Sequence, residues 1–110
     1  MSFTRSGGAA PPWYSAMPVV QVTSSYAAQV TDYYIGVNGT GVTVTLPPGA
    51  TTYAGKTYVI KDESGLITPN SSYRFNIASS NLIDGSSSLT VTVSYAAITV
   101  LWTGSFWSII

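Results

Sequence analysis

The segment Val42-Thr43-Val44-Thr45-Leu46 sets apolar side chains against hydroxyl side chains in strict alternation, and Leu89-Thr90-Val91-Thr92-Val93-Ser94 does the same. Successive side chains of an extended chain point to opposite faces, so a period of two gives one apolar face and one wettable face. A helix would spread both kinds around its circumference. Tyr73-Arg74-Phe75-Asn76-Ile77 follows the same rule. These runs predict strands that lie half-buried against a core.

Three other segments, Thr57–Asp62, Ile98–Trp102 and Phe106–Ile110, are more continuously apolar. They suit central strands, or strands covered on both faces by neighbouring subunits. Val19–Thr23, Tyr26–Val30 and Tyr33–Val37 are weaker strands, which brings the expected number to between seven and nine, with no helix. The turns between them have explicit chemistry. Asn38-Gly39-Thr40-Gly41 reads as a tight hairpin and Pro47-Pro48-Gly49 as a strand stop. Asp84-Gly85 and Thr103-Gly104-Ser105 read as two further reversals, the second bringing Trp102, Phe106 and Trp107 together as hairpin core. Turn signals every roughly 8–12 residues are the pattern of a sandwich or barrel. The fold expected is all-β, an antiparallel β-sandwich of jelly-roll type spanning 19–110, ending on a packed Ile109-Ile110. At 110 residues the chain has the size of one domain.

Residues 1–18 differ. Gly7, Gly8, Pro11, Pro12 and Pro18 forbid regular structure, yet the segment holds Phe3, Trp13, Tyr14 and Met17. Aromatic residues are rare in tails that merely solvate. The segment reads as an extended N-terminal arm that lies on a partner. Docking about 400 Å² of apolar surface contributes on the order of 10 kcal/mol. Ordering costs roughly 1–2 kcal/mol per residue, so one arm is near break-even and several arms on one oligomer would hold better.

The chain has four Lys+Arg, four Asp+Glu, no His and no Cys, with a formal net charge of zero. A titrating base, a thiolate and the commonest metal ligands are therefore missing, and no enzyme activity and no cofactor are expected. Without a basic run, nucleic acid is not an expected partner. No apolar run approaches the roughly 18 residues of a membrane helix, so no membrane partner is expected either. Met1–Arg5 leads into glycine and proline, so no secretory signal is expected.

Several residues invite a functional reading. Lys61-Asp62-Glu63-Ser64 holds half of the acidic residues, but with Gly65 behind it the pattern reads as a charged turn. Asp62, Glu63 and Asp84 make a poor calcium set, since that ion takes six to eight oxygens. Asn38-Gly39-Thr40 and Asn70-Ser71-Ser72 fit the glycosylation acceptor pattern but coincide with turn signals. Eight tyrosines remain. Tyr33, Tyr34, Tyr53, Tyr73 and Tyr95 could form a glycan-binding face or a subunit interface, because tyrosine serves both.

From about Thr31 to Ile110 the chain resembles a small all-β domain recurring in bacteriophage virion proteins, in tail fibres and spikes and in proteins displayed on heads. The resemblance rests on Val42-Thr43-Val44-Thr45-Leu46-Pro47, on Ala54-Gly55-Lys56-Thr57-Tyr58-Val59-Ile60-Lys61-Asp62-Glu63-Ser64-Gly65, on Ile83-Asp84-Gly85 and on Leu101-Trp102-Thr103-Gly104-Ser105-Phe106-Trp107-Ser108-Ile109-Ile110. It implies a virion structural module, often trimeric, with no active site. A single domain with a short arm is more similar to a capsid decoration (cement) protein than to a long fibre. The expectation is a homotrimer on the capsid surface of a virion, held to the major capsid protein by Phe3, Arg5, Trp13, Tyr14 and Met17. The alternative implied is a host-attachment head or tail fibre or spike tip that binds cell-surface glycan.

Overall fold

The computed structural model describes residues 16–110. Nine strands follow in chain order: β1 (Val19–Val22), β2 (Tyr26–Ala27), β3 (Tyr34–Val37), β4 (Thr43–Thr45), β5 (Thr57–Asp62), β6 (Phe75–Ile83), β7 (Ser86–Val91), β8 (Ala97–Trp102) and β9 (Trp107–Ile109). A single 3-10 turn, Gly49–Thr51, is the only helical element among the described residues. The fold is all-β, as the alternation predicts.

The strands hydrogen-bond along one path, β1-β3-β5-β8-β9-β6-β4-β2, with β7 paired to β6. This mixed sheet curls into a nearly closed, barrel-like fold. Strands β1, β3 and β5 stack in parallel as one wing; β2, β4 and β6 stack in parallel as the other. The chain therefore alternates between wings, and neighbours within a wing are two apart in sequence. Antiparallel β8 and β9 join the wings, with β9 parallel to β6 at Ile83↔Trp107.

The expected antiparallel sandwich of jelly-roll type is corrected at this point. Only the β5–β8, β6–β7 and β8–β9 ladders are antiparallel, whereas a jelly roll is antiparallel throughout. The physical reason lies in the turns. Asn38–Gly41, read as a hairpin, does not pair its flanking strands. It carries the chain across the barrel, with Asn38 N–H on the Val22 carbonyl and Gly41 N–H on the Arg74 carbonyl. The reversals at Asp84-Gly85 and Thr103-Gly104-Ser105 are hairpins, as expected.

Inward positions of both wings meet in one core. Val20, Ile35 and Ile60 share one register across the first wing, continued by Ile98 of β8, and Val44 and Ile77 share one across the second, continued by Leu89 of β7. Trp107, Tyr58 and Phe75 are the largest fully buried side chains. Each contributes roughly 1.5–3 kcal/mol or more by leaving water. Trp107 packs tilted against Trp102 at 5.3 Å and Tyr58 at 5.7 Å between ring centroids. Phe106, expected beside them, is half exposed instead, because it sits at the tip of the β8–β9 hairpin. At the end of the chain, Ile110 N–H is paired to the Thr99 carbonyl while its side chain stays exposed. The packed C-terminus therefore holds for the backbone and not for that side chain.

Candidate functional site

The charged side chains hold the barrel's own loops together. Asp62, at the end of β5, is fully buried. Its carboxylate accepts from Ser64 N (3.0 Å), Ser64 Oγ (2.7 Å), Gly65 N (3.1 Å) and Tyr95 N (2.8 Å). Burial alone would push its pKa up; the four hydrogen bonds outweigh that and hold it below the ordinary carboxylate value. The segment Lys61–Ser64 is thus a turn, as expected, with Asp62 as its internal acceptor. Gly65 (φ 71) and Tyr95 (φ 59) take the left-handed conformations that bring their amides to it.

Four other charged groups do comparable work. Asp32 accepts from Tyr26 Oη (2.6 Å) and Gln29 N (2.8 Å), and Asp84 accepts from Ile109 N (3.2 Å). Lys61 Nζ donates to the Tyr95 carbonyl (2.6 Å), and Lys56 Nζ donates to the Asp32 carbonyl. Burial lowers the Lys56 pKa, and its ammonium lies 4.6 Å from the centre of the Tyr58 ring.

Glu63 completes the set on the outside of the first wing. It accepts from Gln21 Nε2 (2.9 Å) and Tyr34 Oη (2.7 Å), tying β1 and β3 to the end of β5. Its carboxylate occupies the space over Gly36, where any side chain would overlap it. Partial burial and the bond to Glu63 push the Tyr34 phenol up to about 12.

The outer face of β1, β3, β5, β8 and β9 is consequently poor in charge, with Lys61 held on the Tyr95 carbonyl. One row of side chains crosses it: Val19, Tyr34, Val59, Thr99 and Ile110. Thr57, Leu101 and Ser108 flank it on one side, and Gln21, Gly36, Lys61 and Ala97 on the other. Val19 is 65% exposed and Ile110 69% exposed, while Tyr34, Val59 and Thr99 are partly exposed.

A second feature lies in the loops. A cleft of about 330 Å³ is lined by Val30, Thr51, Thr52, Tyr53, Ala54 and Lys56. An adjoining cleft of about 300 Å³ shares Val30 and Thr51 and continues along Ala28, Leu46 and Pro48. The bonds of Asp32 and Lys56, with Tyr58 Oη donating to the Gln29 carbonyl (2.7 Å), fix the loop that carries Val30. Tyr53, 91% exposed, stands at the mouth. Both Thr hydroxyls donate to the Pro48 carbonyl, at 3.0 and 2.9 Å, which leaves their lone pairs toward solvent as acceptors.

The five tyrosines grouped from the sequence do not form one patch. Tyr34 and Tyr95 come nearest to doing so: Tyr34 bonds Glu63, and the Tyr95 ring covers Gly65, two residues on, with Lys61 Nζ 5.5 Å from its centre. Tyr73 sits on the loop preceding β6, Tyr53 at the cleft, and Tyr33 ahead of β3 with its carbonyl on Val59 N–H. Of the arm, Phe3, Arg5, Trp13 and Tyr14 lie outside the described residues; Met17 is exposed, next to Pro18, whose carbonyl accepts from Tyr34 N–H. Gln21 and the Val30–Thr51 cleft were not legible as site residues, and Glu63 reads from the sequence only as part of a charged turn. Gly36, a glycine inside an apolar strand, was the one signal of a close approach. No protein-family model matches the chain, and no curated protein matches it.

Proposed function

We propose that the chain is a virion structural protein, a capsid decoration (cement) protein that assembles as a homotrimer on the phage head and is pinned to the major capsid protein by its N-terminal arm. The observation that carries this reading is the placement of charge. Of the seven charged residues described, Asp32, Lys56, Lys61, Asp62, Glu63 and Asp84 all bond within the chain. What they leave outside is a sheet face to which its strands contribute Lys61 as their one charged side chain, and which can be laid against protein at little desolvation cost. A chain built this way works by contact rather than by proton transfer.

The test is binding to phage heads prepared without the protein. The full chain should co-sediment with them, and a version beginning at Ala16 should not. Ala16 is the right boundary because the Pro18 carbonyl belongs to the folded barrel. Equal binding by both versions would remove the arm from the account; no binding by either would remove the decoration function.

A second reading, a host-attachment tip that binds cell-surface glycan, is favoured by Tyr53. An exposed phenol ring beside an apolar cleft with hydroxyl acceptors and the Lys56 ammonium is suited to a sugar ring. Decoration alone predicts no saturable sugar ligand on a glycan array.

A further inference from the structure

We infer that Asn38 is a site of spontaneous chemical modification: its carboxamide condenses with the Gly39 main-chain nitrogen, and the ring so formed opens to aspartyl and isoaspartyl forms. The loop that crosses from β3 to β4 thereby acquires a negative charge. This goes beyond the reading above and does not depend on it.

The chain has four asparagines, Asn38, Asn70, Asn76 and Asn81. Three of them are held. Asn70 Oδ1 accepts from Ser72 N (2.9 Å), Asn76 Oδ1 from Thr90 Oγ1 (2.9 Å) and Asn81 Oδ1 from Gly49 N (2.8 Å). Asn76 and Asn81 also lie within β6, where the main chain is fixed in extended form. Asn38 is exposed, and its carboxamide has no hydrogen-bond partner among the described residues.

The main chain beside it is open in the same way. Asn38 N–H bonds the Val22 carbonyl and Gly41 N–H bonds the Arg74 carbonyl, but the amides of Gly39 and Thr40 between them bond nothing among the described residues. The attacking atom, Gly39 N, is therefore not engaged, and glycine places no side chain in its way. A hydrogen bond that has to break first slows such a step by up to roughly tenfold. The crossing also keeps the glycine: a Cβ there would lie 3.2 Å from the Thr23 carbonyl oxygen. The labile pair is thus built into the joint between the wings.

Water is the only co-reactant. Gly39 N gives its proton to solvent and bonds Asn38 Cγ, while the Cγ–Nδ2 bond breaks and the nitrogen leaves as ammonia with a proton taken up. Water then opens the ring. Cleavage between Cγ and the Gly39 nitrogen leaves an aspartyl residue on the original main chain. Cleavage of the original peptide bond leaves an isoaspartyl residue, through whose Cγ the chain continues, one carbon longer between the anchors at Val22 and Arg74. In either form the formal net charge passes from zero to one negative.

The experiment is ageing of the folded full chain in mildly alkaline buffer, followed by trypsin digestion and mass spectrometry. Cleavage after Arg5, Lys56, Lys61 and Arg74 puts Asn38, Asn70, and the pair Asn76 and Asn81 on three separate peptides. The expected result is a gain of about one dalton in the Asn38 peptide, at least about tenfold faster than in the other two, with an acidic shift on isoelectric focusing. Asn38→Ser aged in parallel should show neither, and keeps the fold because the replaced side chain is exposed and unbonded. In denaturant the other three carboxamides are released, so the difference between peptides should narrow. Comparable rates in the three peptides of the folded chain, or a gain and shift that persist in Asn38→Ser, would overturn the site. A difference as wide in denaturant as in buffer, or wider, would overturn the role given to the hydrogen bonds.

Discussion

The carboxylate of Glu63 lies across Gly36, in the space where the side chain of any other residue would be. This places the acceptor for both Gln21 and Tyr34, and so fastens the open edge strand β1 to its wing. Gly36→Ala should displace the carboxylate and cost about 1–3 kcal/mol, the scale of charge-assisted hydrogen bonds lost at a part-buried site. Chemical denaturation measures it. In the Glu63→Ala background the same glycine substitution should cost much less, because the overlap is gone; equal costs in both backgrounds would contradict the relationship.

Asp62 sets the acid limit of stability. Its folded pKa lies below the unfolded value, so its contribution is present above about pH 4 and is lost as pH falls through the folded value. Unfolding free energy should therefore decline below about pH 4. Asp62→Asn should flatten that decline and cost about 2–4 kcal/mol at neutral pH, because amides of three residues lose a charged acceptor. Denaturation curves from pH 2 to 7 give both quantities.

At the alkaline end three phenols matter. Tyr26, bonded to Asp32, and Tyr34 and Tyr58, desolvated by burial, are each pushed up to about 12. Their contribution is complete below the unfolded value of about 10 and is lost as pH rises from there through about 12. The melting temperature should fall over that window, and less steeply in Tyr58→Phe than in the parent.

Trp107 is fully buried, and its Nε1 is the one buried side-chain polar atom without a hydrogen-bond partner among the described residues. Replacing it with Phe removes ring volume but also removes an unpaired donor, so the two effects oppose each other. Trp107→Phe should cost about 1–2 kcal/mol, whereas Trp107→Ala should cost about 3–5 kcal/mol or prevent folding. Thermal unfolding of the two variants separates the terms.

Each of the nine strands was legible, since alternation such as Val42–Leu46 and continuous runs such as Thr57–Asp62 are direct consequences of strand geometry. Their pairing was not. The in-register residues Val20, Ile35 and Ile60 are separated by unequal stretches of chain, so no repeat length announces the parallel stacking. A glycine-rich turn such as Asn38–Gly41 serves a hairpin or a crossing equally well. β6 ran past its predicted end because Ala78-Ser79-Ser80-Asn81 carries no alternation, and the β-bulge against β7 falls there. The site was legible only as chemistry: the poverty of charge could be read, but the outer face depends on pairing β1 with β3 and β5, which the residues alone do not specify.

The most direct test of an assembly role is electron cryo-microscopy of phage heads before and after the full chain is added. The account predicts new density at symmetry-repeated positions on the shell, built from three copies. Heads that gain no density at saturating protein would contradict it.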